Sequence, residues 1–114
     1  MTDPQSARFD RMFQALADPY RRDFVERLAK GPASVKTLAK PADIQLPAVL
    51  KHLRVLEEGG IIVSDKVGRV RTCRLRPDAF GAVRSWIDQR QAEMNLAFDR
   101  LAELMTEVPE EKDH

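Results

Sequence analysis

Apolar residues recur at two different periods along this chain, and the changes of period mark its elements. Phe9, Met12, Phe13 and Leu16 return every three to four positions, the spacing of a helix with one buried face. A first helix is expected over residues 6–18, after a loose start at residues 1–5. Asp18 and Pro19 suit the cap and first turn of a second helix, where a proline gives up no needed N–H. Phe24, Val25 and Leu28 form its apolar stripe. Gly31-Pro32 ends it, because glycine tolerates the left-handed cap and proline cannot continue a helix. Ser34 is positioned to cap a short third helix with Val35, Leu38 and Ala39 inward, closed by Pro41. Ala42-Asp43-Ile44 makes a turn. A fourth helix starts near Gln45 or Leu46, with Pro47 in its first turn. Val49, Leu53 and Leu56 give it one inward face at i, i+4 and i+7, and Gly59-Gly60 ends it.

From Ile61 the period falls to two. A strand is expected over 61–66, a turn at Val67-Gly68-Arg69 with Gly68 supplying positive φ, and a second strand over 70–75. On that strand Arg71, Cys73 and Leu75 alternate with Val70, Thr72 and Arg74. Pro77 then opens a long helix over 77–107, about 45 Å at 1.5 Å per residue. Phe80, Val83, Ile87, Met94, Phe98, Leu101 and Met105 run along it, and the charged end from Pro109 is expected to fray. The order α-α-α-α-β-β-α is mostly α with a small β-hairpin. Residues 34–59 read as a helix-turn-helix and 61–76 as a wing, within a single winged helix-turn-helix domain spanning 1–114.

Composition narrows the class without naming a function. The 114 residues are 43% hydrophobic and 32% charged, which is globular rather than disordered. No apolar run approaches the roughly 20 residues that span a bilayer, and the first residues lack the apolar core of a secretory signal. One cysteine, Cys73, excludes an intramolecular disulfide. A cytoplasmic protein away from the membrane is expected. Net charge is only +1, yet between Lys51 and Arg76 seven basic residues face three acids, Glu57, Glu58 and Asp65. From Glu103 onward five acids oppose Lys112. Such a local excess fits either a solvated surface or a nucleic-acid contact.

The fourth helix is the candidate reader. With Val49, Leu53 and Leu56 inward, the opposite face offers Gln45, Leu46, Ala48, Lys51, His52 and Arg54, a surface able to enter a groove about 12 Å wide. Gln45 suits an adenine edge and Lys51 a guanine or a phosphate, while Leu46, Ala48 and Leu50 suit thymine methyls. His52 fits packing or a phosphate as well as a base. Arg69 and Arg71 stand at the wing turn, where their charge must face water or an anion, with flanking phosphates or the adjacent minor groove as the functional options. Arg74 and Arg76, further from the tip, are expected in salt bridges or helix contacts. Cys73, on the strand face of Leu75, is expected to be a buried structural thiol. Phe9, Met12 and Phe13 with Met94, Phe98, Leu101 and Met105 exceed what a small core hides, so they either fold back on that core or meet a second copy. Trp86 fits core, seam or pocket alike. No nucleophile–base pair, carboxylate pair or phosphate-cradling glycine loop is present, so no enzyme is expected.

At these residues the chain resembles the ArsR/SmtB family of dimeric winged-helix repressors. The carriers are ALADPYRRDFVERLAKGPASVKTLA, then LPAVLKHLRVLEEGGIIVSDKVGRVRTCRL, then the long closing helix with Trp86. The resemblance implies a sequence-specific transcriptional regulator, usually a repressor that binds an imperfect palindrome in double-stranded DNA as a homodimer joined through its first and last helices. It is closest to a subgroup without the family's metal-ligand motifs. His52, Cys73 and His114 are scattered and cannot make the four-ligand tetrahedron zinc prefers, so neither a metal nor another cofactor is expected. Leu50 stands where the family usually has Ser, and Gln45 where Ser or Thr is usual, which alters two of the usual operator contacts. A small-molecule or protein effector is left open. The competing reading is a winged-helix module for protein contact alone, since a fold does not fix a function.

Overall fold

Capping chemistry decides where the helices of this chain begin, as a computed structural model describing residues 3–107 shows. Asp3 accepts the Ser6 N–H at 2.8 Å, with Pro4 in the first turn, and starts α1 (Pro4–Leu16). The helix therefore begins and ends two residues earlier than the periodicity alone suggests, and residues 3–5 belong to its cap and first turn. Its last carbonyls are taken by arginines from beyond the turn. Arg21 donates to Ala15 O at 2.7 Å and Gln14 O at 2.9 Å, and Arg22 to Leu16 O at 2.8 Å. Asp18 accepts from the N–H groups of Tyr20 and Arg21 and starts α2 (Pro19–Leu28). Ser34 Oγ accepts the Thr37 N–H at 3.0 Å and starts α3 (Val35–Ala39).

The fourth helix, α4 (Leu46–Glu58), lacks a side-chain cap because Gln45 makes no such bond. Pro47 removes one donor and the Ala48 N–H turns back to Gln45 O at 3.0 Å, so little is left unsatisfied. Gly60, at φ 75, lets the chain leave the helix. The wing is β2 (Ile62–Val67) and β3 (Val70–Leu75), paired antiparallel from Ile62↔Leu75 to Val67↔Val70. A third strand, β1 (Ala33–Ser34), was not legible in the sequence. It pairs with β3 at Ala33↔Cys73 and Ser34↔Thr72, giving the sheet order β1-β3-β2. Two residues carry no period, so the hairpin's third strand exists only through its partner.

Two compact units make up the chain, Met1–Ala79 and Phe80–His114. In the first, Phe24, Leu28, Leu38, Val49, Leu53, Leu56, Ile61, Ile62 and Cys73 form the core. Arg27 donates to Thr37 O and Leu38 O at 2.9 and 3.0 Å, tying α2 to the end of α3. The second unit is built on α5 (Gly81–Glu107). This helix starts at Gly81 and not at Pro77. Residues 77–80 form a turn in which the Ala79 N–H bonds Arg76 O, and Phe80 O becomes the first acceptor, for the Arg84 N–H. Pro77 therefore opens a turn rather than a helix. The expectations for Pro109 onward, including His114 and most of the acidic tail, lie outside the described residues.

Candidate nucleic-acid interface

Three buried side chains fix the rotation of α4. Val49, Leu53 and Leu56 are all in the core, as their spacing requires. Gln45, Leu46, Leu50, Lys51 and Arg54 are then exposed, and Ala48 is half-buried. Thirteen residues at 1.5 Å each make a rod of about 20 Å, enough to lie across a major groove.

His52 stands apart from that face. Its side chain is only 19% exposed and its ring stacks on Tyr20 at 5.6 Å between centroids. His52 Nδ1 lies 3.1 Å from Arg21 Nη1. A guanidinium only donates, so Nδ1 is the acceptor and the ring proton sits on Nε2. One arginine thus joins the end of α1, through Ala15 O and Gln14 O, to the middle of α4. The geometry gives His52 a positioning task, holding α4 against α1 and α2, which is the packing alternative considered from sequence beside a base or phosphate contact. Arg21 and Tyr20, on which this depends, carried no distinguishing signal beyond an arginine pair following a helix cap.

The wing tip is a two-residue turn, Gly68-Arg69, with Gly68 at φ 63. Glycine in the first turn position matches the strand twist of a tight hairpin and leaves Arg69 exposed at the apex. Arg71 is exposed on β3 directly opposite Lys66, a like-charged pair that costs stability unless an anion or water screens it. Arg74 pairs with Asp65 at 3.3 Å and Arg76 with Asp78 at 3.8 Å, as their distance from the tip suggested. The basic cluster therefore divides. Two of its arginines are neutralised, while Lys51, Arg54, Lys66, Arg69 and Arg71 are in no ion pair among the described residues. Lys36 of α3 and Lys40 at its C-cap add to the same charge beside Arg69 and Arg71. Sequence reasoning passed over them, although their i, i+4 spacing on the outer face of a short helix was there to read.

Cys73 is fully buried beneath a cleft of about 520 Å³ between α4 and the wing, which Arg54, Glu57, Ser64 and Arg71 also line. Burial, and after it the charge of Glu57, push its thiol pKa up against the opposing pull of Arg71, so the unreactive thiol predominates at neutral pH. Ser64 Oγ donates to Glu57 Oε1 at 2.9 Å across the same cleft. Among the described residues no group of three or more His, Cys, Asp or Glu side chains gathers as metal ligands do, and no helix is long and apolar enough to cross a membrane.

Comparison with known proteins turns this geometry into a family. Residues 16–65, the segment holding α2 to α4 and the start of the wing, match the helix-turn-helix domain family. The HTH-type transcriptional regulator Rv2034 of Mycobacterium tuberculosis is 41% identical over 80 residues, 70% of this chain and 75% of that protein. The crystal structure of an ArsR family transcriptional regulator superposes with a TM-score of 0.74 at 45% identity, over 77% of this chain and 97% of that one. This chain belongs to the ArsR family of winged helix-turn-helix transcriptional regulators. The solution structure of a homodimeric winged helix-turn-helix DNA-binding domain from Mycobacterium bovis shares this ArsR fold, with a TM-score of 0.63 at 22% identity, over 84% of this chain and 91% of that one. The ArsR assignment makes the chain a DNA-binding transcriptional regulator and not an enzyme. Within it, α4 is the second helix of the helix-turn-helix and β2-β3 the wing.

Proposed function

We propose that this ArsR-family chain is a metal-independent repressor that acts as a homodimer on a palindromic operator. The observation that carries the reading is the set of cations in no ion pair among the described residues, Lys51 and Arg54 on α4 and Lys66, Arg69 and Arg71 on the wing, in a stretch whose acids are fewer. Gln45, Leu46, Ala48, Leu50 and Lys51 then address base edges, and Arg54, Arg69 and Arg71 address phosphates. A surface built for protein docking alone would be more apolar and less one-signed. Two copies of α4 spaced by one helical turn of DNA, about 34–36 Å, would read the two halves of the operator.

Support for the dimer comes from α5. Ile87, Met94, Phe98, Leu101 and Met105 recur at i, i+7, i+11, i+14 and i+18 and are all exposed, the pattern of an apolar seam awaiting a partner. Phe9 is half-buried and Phe13 exposed, so both remain available on α1. Met12 does not, being only 6% exposed, and it leaves the expected dimer surface for the core. The Mycobacterium bovis domain is named as a homodimer, which supports a dimer here without saying which helices pair. The reading of metal independence is supported by the donors at hand, with Cys73 buried and His52 Nδ1 engaged by Arg21. The working compartment is the cytoplasm, where the DNA is.

Binding of purified protein to the DNA upstream of its own reading frame, by fluorescence anisotropy at two salt concentrations, tests the reading. Affinity should fall steeply as salt rises, because each phosphate contact releases a counterion. Lys51→Ala should relax preference at one operator position by about 1–3 kcal/mol. Arg69→Ala should weaken all sequences alike and reduce the salt slope by about one. No binding at low salt would reject the proposal.

A further inference from the structure

Between α3, the start of α4 and the wing runs a groove of about 880 Å³. Its floor is apolar, made by Val35, Ala39, Leu46 and Val70. Leu46 and Val70 are 51% and 53% exposed, so two sizeable aliphatic side chains stand unburied in one concavity. Its rim carries Lys36, Lys40, Arg69 and Arg71, and among the described residues no acid lines it. None of these four cations is in an ion pair among the described residues. The cleft further along α4 differs, since Glu57 and Glu58 there oppose Arg54 and Arg71.

A concave site of this size, apolar inside with a few polar groups at its edge, has the make-up of a small-molecule site. Its charge selects the ligand. Four like charges around one hollow raise the local potential and draw in an anion, while the floor gains by losing contact with water. A phosphate alone would satisfy the rim and leave the floor wet. A neutral hydrocarbon would cover the floor and leave the cations unmatched.

We propose that this groove binds an apolar organic acid, a hydrocarbon body ending in a carboxylate, as an effector that competes with DNA. The hydrocarbon lies on Val35, Ala39, Leu46 and Val70, and the carboxylate meets the cationic rim. Competition follows because Leu46, Arg69 and Arg71 serve both ligands, and this half rests on the DNA reading above.

Dodecanoate, kept below its micelle concentration, is the probe. Titration into the ¹⁵N-labelled full chain should shift the amides of Val35, Ala39, Leu46 and Val70 saturably, while dodecylammonium and acetate leave them in place. Val70→Glu puts an acid at the end of an exposed hairpin, where the fold tolerates it, and should weaken dodecanoate at least about tenfold. Lys36→Glu should do the same. Saturating dodecanoate should also lower operator affinity by about tenfold or more. Absence of saturable shifts, shifts confined to the apolar stripe of α5, or equal binding of dodecylammonium overturns the site. Saturable binding in the groove with unchanged operator affinity overturns the competition. A protein that binds dodecanoate there but no DNA at any salt sinks the DNA reading and leaves the ligand site standing.

Discussion

Asp18 caps α2 through the N–H groups of Tyr20 and Arg21 at 2.8 and 3.2 Å, and its Oδ1 lies 4.0 Å from His52 Nδ1. Desolvation is the largest single influence on its carboxyl and pushes the pKa up. The N–H groups of Arg21 and Tyr20 and the Arg21 guanidinium are among the influences that outweigh it and hold the pKa below the ordinary value. A depressed folded pKa gives stability that is present above the unfolded value, about 3.9, and lost as pH falls through the folded one. Asp18→Ala should therefore cost about 1 kcal/mol near neutrality, measured by urea unfolding. The difference from the parent should shrink below about pH 4 as the carboxylate is protonated. A gap that stayed constant down to acid unfolding would mean that the charge of Asp18 does nothing for the fold.

Packing of one element on another turns on Gly59, at the end of α4. Its φ of −77 suits any residue, so backbone freedom is not why glycine stands there. A Cβ at this position would lie 2.9 Å from Ala15 Cβ and 3.1 Å from Arg11 O, both on α1. Neither neighbour is the end of a flexible chain, so α1 and α4 would have to part. Gly59→Ala should destabilise the fold by about 1–3 kcal/mol, read as a lower urea midpoint. Since Arg21 of α2 also bridges the end of α1 and His52 of α4, the same variant should weaken operator binding even at temperatures where it remains folded. Unchanged stability would show that this approach is looser than the distances imply.

At the scale of the whole molecule, the question is what covers α5. Phe98 is 61% exposed in the middle of its apolar stripe, and a helix that leaves such a stripe to water gains by pairing it. Phe98→Glu should shift the protein from dimer to monomer by light scattering. Operator affinity should fall with it, because half-sites read by separate chains lose the gain in effective concentration that linkage supplies. A dimer that survived this change would place the seam elsewhere. The parent should also bind DNA with a concentration dependence that the variant lacks.

Much of this was legible in the sequence because it depends on local chemistry. The caps at Asp18 and Ser34, the turn at Gly68 and the inward rows of α2 and α4 follow from side-chain type and spacing, which act within a few residues. The exposed face of α4 followed as the complement of its buried one. What the sequence could not yield were relations between residues far apart in the chain. The strand at Ala33–Ser34 is too short for any period and is defined by β3. His52 has the same neighbours in sequence as a base reader, and only the arrival of Arg21 and Tyr20 from α2 turns it into a brace. The division of the basic cluster into paired and unpaired cations, and the gathering of Lys36 and Lys40 beside the wing, needed the sheet register and the helix directions together. Local propensity determined the elements of this protein. Tertiary contact decided which of their charges were left free, because a charge is neutralised only by what folding brings within a few ångströms of it.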